Sequence, residues 1–353
     1  MKVGTFFSGI GSPEQALLNL GIKHEIEFAC DIDKYARQTY LKNFDCKKMY
    51  EDITTLDMKD LSYVDLLVFG FPCQAFSMAG KREGFEDTRG TLFYDALRYL
   101  KQHKPRYFIA ENVKGLISHD SGKTFQTIID CLALTVNKQM TLMPFDNLGY
   151  HVYYKVLNTK DFGIPQNRER IFIVGIRDDK DNNFRFSKEI PLEIKLKDLL
   201  QNNVNDKYYL SKKMIKNITT PSNGNWNSGK MTFNTDIAKC INARVHKMGR
   251  ADTDNYVISH SLYPRSGNPK QGGTGHLSKS DGTSYCLDTG NAQAIQKQNK
   301  IRRLTPIECE RLQGFPDNHT EGVSDTQRYK QCGNTITVNV MEAILKNLLH
   351  GYS

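Results

Sequence analysis

The chain has 353 residues, 39% of them hydrophobic and 25% charged, a globular balance that excludes disordered and fibrous classes. No run approaches the roughly 18 apolar residues of a membrane span, and the glycine-broken start "MKVGTFFSGIG" is too short for a signal segment, so a cytoplasmic protein without membrane contact is expected. The net charge of +9 lies wholly within 185–300, which holds 18 Lys+Arg against 9 Asp+Glu, while 1–184 (24 and 24) and 301–353 (6 and 6) are balanced. Charge concentrated in this way is the electrostatic footprint of a segment that contacts nucleic acid.

In chain order, "KVGTFF" predicts a first strand, "SGIGS" a glycine turn and "PEQALLNL" a helix stopped by Gly21. Ser12, Pro13 and Gln15 predict an S-x-x-Q capping box at its start. The turn is a degenerate nucleotide-binding fingerprint, with Gly9 and Gly11 giving a ligand close access to the backbone. The next strand, "HEIEFAC", leads to Asp31, 20 residues past Gly11, where a carboxylate can grip ribose hydroxyls. Asp52, in "YEDIT", adds an acid before the third core strand.

"YVDLLVFG" is a buried strand ended by Gly70, which places Cys73 of "GFPCQAFS" just past a strand's C-terminal end, the edge of an open α/β sheet where ligands bind. The eight cysteines show no C-x₂₋₄-C spacing, so no metal site is expected, and Cys73 differs from the other seven only by its place. A helix follows in "TLFYDALRYL", with Leu92, Ala96, Leu97 and Leu100 on one face. The strand "PRYFIAEN" carries Glu111 to the same edge as Cys73. Burial at the end of an apolar strand raises a carboxyl pKa and lets it donate a proton near neutrality. "HVYYKVLN" and "RIFIVGIR" complete the strands, and Arg168 and Arg170, two apart, are expected on one face. Strands alternating with helices predict an α/β fold with a doubly wound, mostly parallel Rossmann-like sheet.

Past residue 184 the sequence turns Asn-, Gly- and Lys-rich, and "KCINARV" and "SYCLDTG", which share a short Cys-centred pattern, are its strand candidates. Helical order returns at "RRLTPIECERLQGFPD", where Thr305, Pro306 and Glu308 predict a capped helix, and ends in "TVNVMEAILKNLL". Three segments result: 1–184 as the catalytic and cofactor-binding domain, 185–300 as a smaller loop-rich domain, and 301–353 returning to the first.

"FFSGIGS", "DID", "EDIT", "GFPCQAFS", "AENV", "QNRER", "RRLTPIECERLQGFP" and "QCGNTITVNV", in this order, resemble the motifs of the bacterial and phage C5-cytosine DNA methyltransferases of restriction–modification type. The resemblance covers everything except roughly 185–300. It implies a methyltransferase with S-adenosylmethionine as cofactor and double-stranded DNA as partner, acting as a monomer beside a restriction endonuclease it does not bind. Cys73 is then the nucleophile that adds to cytosine C6, and Glu111 bonds N3 and the amino group. Arg170 contacts the O2 side, and Arg168 supports the loop and phosphate. The same resemblance places the cofactor against Phe7, Gly9, Ile10, Gly11, Asp31, Ile32, Asp52, Ile53, Gly70, Pro72, Leu92 and Asn334. Since C6 is inaccessible inside a duplex, the base must be flipped out, with the loop after Cys73 as lid and Ser77, Lys81 and Arg82 near DNA. Segment 185–300 becomes the target-recognition domain, with Arg244, Arg265, Gln271 and Lys279 as candidates to read base edges in the major groove while other basic residues meet phosphates. Ser12 departs from the family's second glycine, Ile32 from an adenine-facing aromatic and Ala79 from a polar loop residue. A sister activity on tRNA uses nearly the same motifs, and the basic segment is what favours DNA; a non-catalytic DNA-binding relative would have replaced Cys73, Glu111 or Arg170, and a dehydrogenase would carry the full G-x-G-x-x-G.

Overall fold

The computed structural model describes residues 1–72, 92–140, 147–177, 179, 183–209, 211, 258–261, 277–279, 293–297 and 300–350. The large sheet contains β1 (Lys2–Phe6), β2 (Glu25–Cys30), β3 (Met49–Tyr50), β4 (Leu66–Gly70), β5 (Tyr107–Val113), β6 (Ala133–Val136), β7 (Gln139–Met140), β8 (Tyr150–Asn158) and β9 (Glu169–Arg177). Their spatial order is β3-β2-β1-β4-β5-β9-β8-β6-β7. The run from β3 to β5 is parallel throughout, and the order reverses between β1 and β4, the point at which an open sheet forms its ligand crevice. The expectation of a mostly parallel sheet holds there, but β9 runs antiparallel to both β5 and β8. The reason is local: β8 and β9 are joined by only the short stretch Thr159–Arg168, too short for the crossover that a parallel pair requires.

Alternation along the strands sends side chains into two cores. In β4, Leu67 and Phe69 face α3 (Leu92–His103) and α4 (Lys123–Leu132), packing with Phe93, Leu97 and Ile128. Leu66 and Val68 face α1 (Ser12–Asn19) and the C-terminal α7 (Val338–Leu348), packing with Leu17, Met341 and Leu345. Apolar residues on both strand faces are therefore what a doubly covered sheet demands. A third helix, α2 (Lys34–Asn43), is seated by Tyr40 and Phe44 against Ile26 and Ala29.

The predicted capping box at Ser12 is not formed. The N-cap is Gly11 in the left-handed region, and Ser12 is already helical and buried. At α5 (Pro306–Leu312) the predicted box is present: Thr305 Oγ1 accepts from Glu308 N, and Glu308 accepts from Thr305 N at 2.8 Å. α6 (Asp325–Asn334) follows, with Lys330 paired to Asp33 at 2.7 Å and Gln331 Nε2 donating to the Tyr35 carbonyl, so this helix lies on the start of α2.

A separate antiparallel sheet joins β10 (Ile258–Ser261), β11 (Leu277–Lys279), β12 (Gln293–Lys297) and β13 (Lys300–Arg303) in the order β11-β10-β12-β13. Its last strand leads directly into α5, and Arg302 forms a bidentate ion pair with buried Glu308, at 2.8 and 2.7 Å. The strand candidates "KCINARV" and "SYCLDTG" lie outside the described residues.

Candidate active site

The C-terminal ends of β1, β2, β4 and β5 meet at one edge of the sheet. At the end of β1 the chain turns sharply: Phe7 has φ +55, a conformation uncommon for a residue with a side chain, and Gly9 and Gly11 have φ +56 and +82. The two glycines differ. Among the described residues the only atom near a hypothetical Cβ on Gly9 is the Phe7 carbonyl oxygen at 4.0 Å, so they leave this face of the turn open. A Cβ on Gly11 would overlap the Phe44 ring. At Gly11 the space a side chain would take is filled by the ring of Phe44, just past the end of α2, which is why a glycine is required there.

Asp31 closes the turn from β2. Its Oδ2 accepts from Gly9 N and its Oδ1 from Asp33 N, both at 2.8 Å. Burial pushes its carboxyl above the usual range, while the bonds from Asp33 and Gly9 and the Arg37 guanidinium pull it back and the Asp33 charge adds to the rise. Each oxygen keeps a further lone pair for a ligand hydroxyl. Beside it Ile32 is 77% exposed, an apolar side chain with one face in solvent at the mouth of the crevice. Asp52 caps a short 3₁₀ turn, accepting from Thr54 N and Oγ1, and these bonds hold its carboxyl below the usual range.

Of the other residues expected against the cofactor, Ile10 is fully buried and Ile53 nearly so, each within an apolar core cluster. Leu92 is half-buried at the start of α3, and Pro72 and Asn334 are exposed.

Glu111 stands next to Gly70 in the parallel β4–β5 register, close enough that a Cβ on Gly70 would touch Glu111 Oε2 at 3.4 Å, an ordinary contact distance. Burial pushes the Glu111 carboxyl up, with Arg170 and then Arg168 opposing. Arg170 Nε lies 3.1 Å from Glu111 Oε1. In the antiparallel β5–β9 register Arg170 pairs with Val113, two residues along from Glu111, so the two side chains share a face. Arg168 lies just before the strand and is 3% exposed, and its Nη2 donates to the carbonyls of Gly333 (3.1 Å) and Thr335 (2.7 Å). The expectation of Arg168 and Arg170 side by side, with Arg168 on a phosphate, gives way to a division of labour. Arg170 serves the carboxylate, and Arg168 grips the backbone on both sides of Asn334.

Cys73 lies three residues past Gly70, outside the described residues, as do Ser77, Lys81, Arg82, Arg244, Arg265 and Gln271; Lys279 falls in β11. The chain leading to Cys73 is held by a residue not singled out from the sequence: Asn112 Nδ2 donates to the Phe71 carbonyl at 2.9 Å. Its mark was a polar residue at a buried position of an apolar strand, which requires a partner. Gln166 and Gln313 were likewise missed. Gln166 Nε2 donates to the Leu312 carbonyl and Gln313 Nε2 to the Cys332 carbonyl, binding the β8–β9 connection to the α5–α6 segment. Among the described residues no group of three or more His, Cys, Asp or Glu could hold a metal ion, and no helix is long and apolar enough to cross a membrane.

A crevice at a topological switch point, a glycine turn closed by a carboxylate and a buried acid–guanidinium pair beside it mark a candidate ligand site at the edge of a doubly wound sheet. The family model for C-5 cytosine-specific DNA methylases matches residues 1–350, and the chain belongs to that family. It is 34% identical to the orphan methyltransferase M.SPRI of Bacillus phage SPR, over all of this chain and 98% of that protein. To the type II methyltransferase M.HpaII of Haemophilus parainfluenzae it is 37% identical over 97% of this chain and 87% of that one. Its fold is shared with a mutant DNMT2 of Spodoptera frugiperda, at a TM-score of 0.66 and 19% identity over 99% of each chain. The protein is a DNA cytosine-5 methyltransferase whose methyl donor is S-adenosylmethionine.

Proposed function

We propose that Cys73 is the nucleophile of this methyltransferase, with Glu111 and Arg170 as the groups that bind and polarise the target cytosine. The observation that carries this is the Glu111–Arg170 pair at the end of β5, against Gly70 and three residues from Cys73 in sequence. Cytosine C5 is a poor nucleophile; a thiolate added at C6 makes the ring an enamine. Only a few per cent of an ordinary thiol is ionised at neutral pH, so the charge of Arg170 near the reaction edge favours the thiolate. Glu111, its proton held more tightly because it is buried, donates to N3 as electron density moves into the ring. Asn112 fixes Phe71 and so the approach of Cys73.

The residues at the crevice fit S-adenosylmethionine. Gly9 presents open backbone, Asp31 keeps lone pairs for ribose hydroxyls, and exposed Ile32 offers an apolar face to a purine. Asn334, bracketed by the bonds of Arg168, borders the same crevice. The bound cofactor supplies an electrophilic methyl carbon on sulfonium; the chain's part is to hold it beside C5 and to exclude water.

Segment 185–300 acts as the target-recognition domain, its charge meeting phosphates while a few side chains choose the sequence. The enzyme methylates cytosine within a specific short sequence, working as a monomer in the cytoplasm of a bacterial or phage-infected cell without binding an endonuclease.

The test uses duplex containing 5-fluorocytosine, from which the fluorine cannot leave as a proton does. Wild type becomes covalently trapped on it in the presence of cofactor, and Cys73→Ala does not, while still binding DNA. Normal turnover by Cys73→Ala would overturn the assignment.

A further inference from the structure

Behind the glycine turn, on the side away from the crevice, lies a histidine that no motif assigns. His319 follows α5 in the C-terminal segment and is 3% exposed. Its Nε2 is 2.8 Å from the Ile10 carbonyl oxygen, the peptide between Gly9 and Gly11. A carbonyl only accepts, so Nε2 carries the hydrogen. The imidazole lies against Phe315, with centroids 4.3 Å apart, and beside Phe44 at 5.8 Å, the ring that fills the space at Gly11. The backbone of His319 is fixed from α2, where Asn43 Nδ2 donates to its carbonyl at 2.9 Å.

We propose that His319 is a positioning residue for S-adenosylmethionine binding, holding the Ile10 peptide so that Gly9 faces the crevice in its binding conformation. The physical reason is the pair of glycines on either side. Neither Gly9 nor Gly11 carries a Cβ to restrict rotation, and both sit at positive φ, so the orientation of the peptide between them depends on its hydrogen bonds. Gly9 N is held by Asp31 and Gly11 N by the Ser8 carbonyl, and His319 holds the remaining carbonyl. Burial against the two phenyl rings holds the His319 pKa below its ordinary value, while the bond to the Ile10 carbonyl and the charge of Glu310 in α5 oppose this and Lys42 of α2 adds to it. Nε2 keeps its hydrogen, and so its bond to the Ile10 carbonyl, in either protonation state.

Resting on the cofactor assignment above, the test measures S-adenosylhomocysteine binding by calorimetry with the full-length protein. His319→Phe keeps a ring and removes the donor; His319→Gln keeps an N–H near the position of Nε2. The phenylalanine variant is expected to bind about five- to tenfold more weakly, as for one lost hydrogen bond, and the glutamine variant to within about twofold of wild type. DNA affinity without cofactor stays unchanged in both. Cofactor affinity equal to wild type in His319→Phe, or lost as fully in His319→Gln, overturns the proposal. If the phenylalanine variant does not fold, His319→Met, which fills the space without an N–H donor, decides: cofactor affinity equal to wild type overturns the proposal. Asp31→Ala separates the two levels. If it binds cofactor like wild type, the cofactor assignment itself fails; if it weakens binding while His319→Phe does not, only the role of His319 fails.

Discussion

Gly9 and Gly11 are two residues apart in one turn, share positive φ and answer to different constraints, so substitution separates them. Among the described residues Gly9→Ala meets only the Phe7 carbonyl oxygen, at 4.0 Å, so its cost is that of the left-handed backbone, about 1–2 kcal/mol. Its methyl group points into the crevice, so the expected result is a folded protein with weakened cofactor binding. Gly11→Ala pays the same backbone cost and also drives into the Phe44 ring, about 1–3 kcal/mol more. Urea unfolding and calorimetry on the two variants should therefore rank them in opposite orders. Glu111 makes a second prediction at this scale. Its folded-state pKa is raised, so the folded protein takes up this proton more readily than the unfolded chain, and protonation stabilises it. Glu111→Gln, with an amide oxygen still able to accept from Arg170, is expected to melt higher than wild type at pH 8. The gap should close as pH falls through the raised pKa toward the ordinary 4.5, while activity is lost by about 10²-fold or more. A gap that does not change with pH would mean that Arg170 keeps Glu111 charged.

At the scale of elements, α5 is the joint between the two sheets. Glu308 accepts from Thr305 N, from Gln201 N at 2.8 Å and from both terminal nitrogens of Arg302, and is fully buried. One carboxylate thus caps the helix, ties down the chain at Gln201 and fixes β13 where it leaves the second sheet. Removing one partner of a buried ion pair strands the other charge, so Glu308→Ala is expected to cost about 3–5 kcal/mol. Thr305→Ala, which removes the capping acceptor and the bond its hydroxyl donates to Gln201 Oε1 at 2.6 Å but strands no charge, should cost about 1–2 kcal/mol. Equal losses in denaturant unfolding would show that the capping bond, and not the Arg302 pair, is the source of the stabilisation. The β8–β9 hairpin is the other decisive element. Its return direction brings Arg170 to Glu111 and, through the preceding turn, Arg168 to the backbone around Asn334.

For the whole molecule, the division of charge is the quantity to test. If 185–300 reads DNA, its excess of 9 positive charges releases counterions on binding, so DNA affinity should fall steeply with salt while cofactor affinity stays level. Exchanging this segment for that of a relative with another target should move the methylated sequence with it, read by bisulfite sequencing of plasmid from the expressing cell. An active chimera that still methylates the original sequence would place specificity in the loop after Cys73.

What was legible from residues alone was whatever local chemistry determines. The strands "DLLVFG", "PRYFIAEN" and "RIFIVGIR" were read from unbroken apolar runs, the Thr305 cap from a four-residue pattern, and Asp31 and Glu111 from their places at strand ends. The short strands β3, β6 and β7, the strands β10 to β13 of the second sheet and the helices α2, α4 and α6 escaped. α2 buries only Ala36, Thr39 and Tyr40 and has no apolar stripe to read. The family was also legible, because its motifs are runs of consecutive residues in a definite order. Only the tertiary structure could reverse β9, put Phe44 where Gly11 has no side chain, send Arg168 to backbone carbonyls and bring His319 onto the Ile10 carbonyl, 309 residues away. Each of these is a contact between distant segments, set by packing and by the need of buried polar groups for partners, and no periodicity within one segment encodes which distant group will meet that need.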